Sequence, residues 1–328
     1  MLLSRIFYTL KPTIPRSLQI FLRRYIARYK RRKYAHIWPI DPNSGQPPQG
    51  WPGWPDGKEF SLVLSHDIDT RRGYEKVLRL VELEEQMGFR SQFNFVPERY
   101  GEVEISLIEE LKSRGFGIGV HGLKHDGKLF GSKDAFDKSA VKIDCYLKEW
   151  GTKGFTAPSM IRNHDWMQQL DLEYCISTFD TDPFEPQSEG AGTIFPFWVQ
   201  NDPSKIGFLE LPYTLPQDHL LFVILQEKTI NIWKRKLDWV ASRRGMALSN
   251  THSDYMNFGD CPLDREEYPI EFYESYLNYV SDRYKGRFYH ALPSDVASYC
   301  FSALTRIPRA IEAIAVCKKV KGAAGCKE

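Results

Sequence analysis

The sequence predicts an α/β fold in which a parallel, barrel-like sheet is ringed by helices. Three observations lead there. From residue 60 onward short apolar runs alternate with stretches whose apolar residues recur at helical spacing, the pattern of successive βα units. About seven such units fit into about 250 residues, the span of a (β/α) barrel. Of the 328 residues, 42% are hydrophobic and 26% charged, enough apolar material for one large core and too much for a disordered chain.

The elements follow in order. Residues 1–38 form a basic arm. Leu18, Phe21, Leu22, Tyr25, Ile26 and Tyr29 share one side of a helix, Arg23, Arg24 and Arg28 lie on the other, and Lys30-Arg31-Arg32-Lys33 follows. Such a helix either lies on an anionic membrane surface or packs on the body with its charged face solvated, and the pattern alone does not choose. Residues 39–59 are rich in Pro, Gly and Trp, which forbids regular structure and suggests an ordered wrap. Strands are expected at Ser61–Leu64, Ser91–Val96, Phe116–Val120, Gly154–Ala157, Tyr174–Ser177 and Ala247–Ser249, with a β-rich excursion over 191–211. Helices are expected around Tyr74–Val81, at 104–114, 133–149 and Asn163–Leu170, around Ile230–Val240, and at Ile270–Tyr284. The barrel unit is placed at 60–300, and the tail 301–328 carries little signal.

Charge is uneven. Residues 1–40 hold ten Lys/Arg and no Asp/Glu, so 41–328 hold 34 basic against 42 acidic residues, a net of −8. A body of that sign argues against nucleic acid as a partner. The six cysteines include no CxxC pair, which argues against a cysteine zinc site. Arg5 and Lys11 interrupt the apolar runs Met1–Leu3 and Ile6–Leu10, so no secretory leader is expected, and a cytoplasmic location with free thiols follows as an expectation.

In a parallel βα architecture the loops after the strands carry function. After the first strand comes Ser65-His66-Asp67-Ile68-Asp69, two carboxylates at i and i+2 that call for a nearby cation or a capping role. After the third comes His121-Gly122-Leu123-Lys124-His125-Asp126, with two imidazoles that a helical turn would bring together on a metal. After the late strand comes Ser249-Asn250-Thr251-His252, and His252 is a candidate general acid or base. Two His and one carboxylate leave a divalent metal with open positions, a catalytic pattern. His66, between strand and site, reads as structural or as a support behind the site residues.

The order HDxD, HGxxHD, FTAP and then TH, each at a strand end, resembles the polysaccharide deacetylase family of carbohydrate esterases over about residues 60–295. The resemblance implies a distorted (β/α) barrel that removes N- or O-acetyl groups from sugars with an Asp-His-His divalent metal site, for which Zn2+ is the expected ion. It implies Asp67 as base and Asp69 as ligand, with the exchange of these roles open because Ile68 separates aspartates that are adjacent in the family. His121 and His125 map to the other ligands, and His252 to the acid that protonates the leaving group. Where the family carries an arginine before a proline this chain has Thr156, with Arg162 nearby. The acidic partner of the last histidine maps to Asp180 or Asp182. The expected function is therefore metal-dependent removal of acetyl from a sugar or glycan intermediate, in surface polysaccharide biosynthesis at the inner membrane face. The alternatives are an amidohydrolase for a non-sugar amide and a catalytically weakened sugar-binding module.

Overall fold

The computed structural model describes residues 15–201 and 207–304, so the first apolar runs and most of the tail lie outside the described residues. Helix α1 (Arg16–Lys33) precedes the wrap, and β1 (Phe60–Ile68) begins the sheet. There follow α2 (Arg71–Glu75), α3 (Val77–Gln86), β2 (Gln92–Phe95), α4 (Ile105–Ser113), β3 (Gly117–His121), α5 (Lys133–Glu149), β4 (Gly154–Thr156), α6 (His164–Met167) and β5 (Tyr174–Cys175). The excursion contributes β6 (Phe197–Val199) and β7 (Phe208–Glu210). Then come α7 (Asn231–Ser242), β8 (Met246–Thr251), the short β9 (Met256–Asn257) and β10 (Tyr268–Pro269), α8 (Glu271–Tyr284), β11 (Phe288–His290) and α9 (Pro293–Leu304).

The helices form for local reasons. In α5, Phe136, Ala140, Ile143 and Leu147 make a buried stripe, the Ser132 hydroxyl accepts from the Ala135 N–H, and Asp134 sits in the first turn, where a negative charge suits the helix dipole. The helix expected from Tyr74 onward is divided at Lys76, giving α2 capped by Thr70 and then α3.

The main sheet runs β11-β1-β2-β3-β4-β5-β7-β6, with β8 also paired to β1. Every pairing in it is parallel except β6 with β7, so the excursion is an antiparallel flap on a curled parallel sheet. This is a distorted (β/α) barrel. Its closure between the β7 side and β8 uses Thr214 and Leu215, both of whose N–H groups donate to the Leu248 carbonyl at 3.1 Å, while the Thr214 hydroxyl accepts from the Leu248 N–H at 2.8 Å.

β1 is the hub. It pairs with β8 along Ser61–His66, and on its other edge with β11 low down and β2 higher up. The register sets Asp67 directly opposite Asn94. The wrap is ordered by its tryptophans. Trp51 and Trp54 meet edge to face at 5.0 Å, and the Trp54 indole N–H donates to the Arg244 carbonyl at 2.9 Å.

Behind β1 a fully buried polar cluster fixes α3. The His66 ring bonds Glu84 through Nε2 (2.8 Å) and Thr251 through Nδ1 (2.7 Å), and Ser91 and Tyr273 donate to the same carboxylate. Burial opposes the charge on Glu84, and His66 together with the Ser91 and Tyr273 hydroxyls outweighs it, holding the carboxyl below its usual range. His66 is thus a structural residue. Glu84→Ala removes the acceptor from three buried donors and should cost about 3–5 kcal/mol, read from urea unfolding midpoints.

Candidate active site

The loops at the C-terminal ends of β1, β3 and β8 bring together the five residues named as catalytic or metal-binding. Asp69 follows β1, His121 ends β3, His125 lies four residues on, and His252 follows β8. The loop after β3 is not the helical turn the HxxxH spacing invites. Gly122 and His125 both take left-handed backbone (φ 62 and 50), and this irregular turn points both rings at Asp69. A Cβ at Gly122 would lie 2.3 Å from Pro158 Cγ, so glycine is needed where the loop passes the Pro158 ring. Arg99 donates to the His125 carbonyl at 2.7 Å and steadies the turn.

The geometry singles out three ligand atoms. Asp69 Oδ1 lies 3.3 Å from His121 Nε2 and 3.3 Å from His125 Nε2, and one donor atom from each residue lies within 4.8 Å of the others. His121 Nδ1 donates to the Thr156 carbonyl at 3.2 Å, which turns Nε2 toward the carboxylate. Asp69 Oδ1 is buried with no hydrogen-bond partner. An orphaned carboxylate oxygen between two imidazole nitrogens fits a divalent cation, so the residues present suit one. Burial works against the Asp69 charge, but His125 and then His121 hold its carboxyl below the usual range. Burial pulls His125 down, while for His121 the Asp67 and Asp69 carboxylates outweigh burial and raise it.

Asp67 stands apart from this trio. Its Oδ1 accepts from Asn94 Nδ2 at 2.8 Å and its Oδ2 from Asn250 Nδ2 at 2.9 Å, with His121 Nε2 at 3.8 Å. Two neutral amides hold it, with no arginine among its hydrogen-bond partners in the described residues. Thr156 contributes its carbonyl to His121, while its hydroxyl is buried without a partner. Arg162 does not substitute. Its guanidinium donates to the carbonyls of Met160 and Glu189 and sits over the Phe179 ring.

The partner of His252 corrects the expectation. Asp180 and Asp182 do not orient it. Asp180 is committed to a buried ion pair with Lys236 and accepts weakly from Ser44, tying the wrap to α7, and Asp182 accepts from the Phe184 N–H at 2.9 Å. The orienting carboxylate is Asp218. Its Oδ1 accepts from His252 Nδ1 at 2.8 Å, and its Oδ2 from the His252 N–H at 2.8 Å and the Tyr268 hydroxyl at 3.0 Å. Burial opposes the charge on His252, but Asp218, reinforced by Asp69 and Asp67, pushes the imidazole up to about 10. The Asp218 carboxylate thus favours the protonated form of His252.

Asp254 is a further site residue that the sequence does not single out. Its Oδ2 accepts from the Asp69 N–H at 3.1 Å and its Oδ1 from the Thr70 hydroxyl, which fixes the ligand-bearing turn. A Cβ on Gly73 would lie 2.3 Å from that carboxylate.

A groove of about 280 Å³ opens beside His125, lined by Leu129, Phe130, Pro158 and Ile161 and also by Lys128 and Lys138.

No family model and no curated protein matches the sequence. Among solved structures, a putative polysaccharide deacetylase from Mycobacterium smegmatis superposes with a TM-score of 0.57 at 15% identity, covering 76% of this chain and 92% of its own. A family 4 acetyl xylan esterase from Clostridium thermocellum, in complex with a cobalt ion, is similar only at a TM-score of 0.43 and 12% identity, covering 73% and 90%, too distant to carry an argument. With its curled parallel sheet, its helices and its closure at β8, this chain has the fold of the polysaccharide deacetylases.

Proposed function

We propose that the protein is a metal-dependent deacetylase acting on an N- or O-acetylated sugar or glycan, and that the glycan is an intermediate of surface polysaccharide assembly met on the cytoplasmic side. One observation carries the catalytic reading. A carboxylate (Asp67) and an imidazole held by its own carboxylate (His252 with Asp218) accompany an Asp-His-His trio whose central oxygen has no other partner.

Asp69, His121 and His125 would hold the cation, with Zn2+ the expected ion for two imidazoles and one carboxylate. When bound, such an ion supplies Lewis-acid polarisation of a carbonyl and lowers the pKa of a water from about 15.7 to about 7. The chain's own residues supply the proton transfers. Each Asp67 oxygen accepts a single amide N–H, which leaves lone pairs free to take a proton from the attacking water. His252, held by Asp218 through Nδ1, presents Nε2–H to the departing nitrogen or oxygen. The groove beside His125 offers apolar side chains to an acyl group and lysines to polar substituents of a sugar.

The test is acetate release from a panel of acetylated glycans and nucleotide sugars, with and without a chelator. Release is expected, its loss on chelation is expected, and added zinc should restore it. A protein that released acetate equally after chelation, or from no member of the panel, would contradict this function.

A further inference from the structure

Helix α1 is oriented inside out. Gln19, Ile20 and Ala27 face the body and are buried, whereas Leu18, Phe21, Leu22, Tyr25, Ile26 and Tyr29 are exposed by 43–71%. Those six account for most of the ten large hydrophobic side chains exposed among the described residues. The polar face is used for attachment. Arg24 donates to the carbonyls of Val223 and Arg265, Arg28 to the Gln226 side chain and Lys30 to the Pro183 carbonyl, and Arg31 pairs with Glu227. A helix that only covers a core shows the reverse arrangement. A contiguous exposed apolar patch marks a contact surface. Among the described residues no helix is long and apolar enough to cross a membrane, so the stripe suits contact along a surface.

Charge selects what covers it. Arg23, Arg32 and Lys33 are exposed on the same helix, and residues 1–40 contain no acidic side chain. Stripe against stripe, two copies would bring like charges together with nothing in the segment to offset them. An anionic bilayer meets the aromatic stripe with its acyl boundary and the flanking cations with its headgroups.

Position links the stripe to the site. The helix is fastened to Val223, in the π-helical turn His219–Ile224 that begins one residue after Asp218, the residue that orients His252. Glu185 lies within charge range of Arg23 and Lys30 on the helix and of His252 in the site.

We propose that α1 rests its outward stripe on an anionic membrane beside the catalytic mouth, and that the substrate is an acetylated glycan carried on a lipid. The second half rests on the deacetylase reading, and the docking does not.

The test sediments the full chain with phosphatidylcholine vesicles with and without phosphatidylglycerol. Partition onto the anionic vesicles is expected to exceed that onto neutral ones about a hundredfold, about fivefold for each of the three exposed cations. It should fall about tenfold in Phe21→Ser/Tyr25→Ser. In Arg32→Gln/Lys33→Gln it should fall about fivefold per charge removed. These side chains are exposed, so unfolding midpoints should not move. Unchanged partition in the serine variant, no preference for anionic vesicles, or a dimer that the serine substitutions dissolve would each overturn the docking. Acetate release from a vesicle-borne acetylated glycolipid should exceed that from the same glycan in solution about tenfold, and the serine variant should lose that advantage while keeping the solution rate. Equal rates with intact vesicle binding overturn the lipid-carried substrate. Release from neither form overturns the deacetylase reading, and the vesicle partition still decides the docking.

Discussion

Asp67→Asn should retain its divalent cation and release acetate about 10²–10⁴-fold more slowly, whereas Asp69→Asn should lose both cation and turnover. The separation follows from the geometry. Asp69 Oδ1 is the atom that both ligand imidazoles face at 3.3 Å, and nothing else binds it. Asp67 has each oxygen occupied by an amide and comes no closer than 3.8 Å to His121 Nε2. The substitution should be tolerated structurally. Asn250 Oδ1 has no hydrogen-bond partner, so a flip of that amide can present an acceptor to the side-chain N–H introduced at position 67. Metal content by elemental analysis, alongside acetate release, gives the readout. Loss of metal in Asp67→Asn would exchange the roles of the two aspartates.

Asp218→Asn should slow turnover by a comparable factor and move the high-pH limb of kcat/KM toward acid. His252 donates only in its protonated form. Asp218 is the largest of the influences that raise its pKa against burial, so it extends the range over which the proton is held toward higher pH. An amide at 218 removes that charge, the folded pKa falls, and the acid form is lost at lower pH. A pH–rate profile that kept its high-pH limb in this variant would show that some other group supplies the proton. Asp180→Asn should leave the limb in place, because that carboxylate pairs with Lys236 instead.

The strand-end clusters are legible because a parallel sheet turns sequence position into spatial position, so HDxD, HGxxHD and TH have to meet at one mouth. The residues that the sequence leaves unmarked are of two kinds. Asn94 and Asn250 lie within strands, and in Gln92–Phe95 the alternation of polar and aromatic residues does mark one face as directed away from the apolar side. That signal is present, although a buried strand flanked by polar clusters draws attention to its end. Asp218 follows no strand and sits at the entry to a π-helical turn, a conformation without a short-range pattern, so the sequence points instead to Asp180 and Asp182. The stripe on α1 is plain in the sequence, but periodicity reports that a helix has two faces and not which one meets the body. The hydrogen bonds of Arg24 and Lys30 decide that.

The two-amide clamp on Asp67 has a consequence for how the site comes into being. One amide arrives with the neighbouring strand, 27 positions along the chain, and the other from β8, 183 positions along. At ribosomal speeds of about 5–20 residues per second, the interval between the emergence of the carboxylate and that of its distant partner is on the order of ten seconds or more. In the later part of that interval, once residue 125 has emerged, the nascent polypeptide can already possess the Asp-His-His trio while lacking both the far jaw of the clamp and the imidazole at 252. The full constellation of side chains is thereby deferred until nearly the whole barrel has been translated.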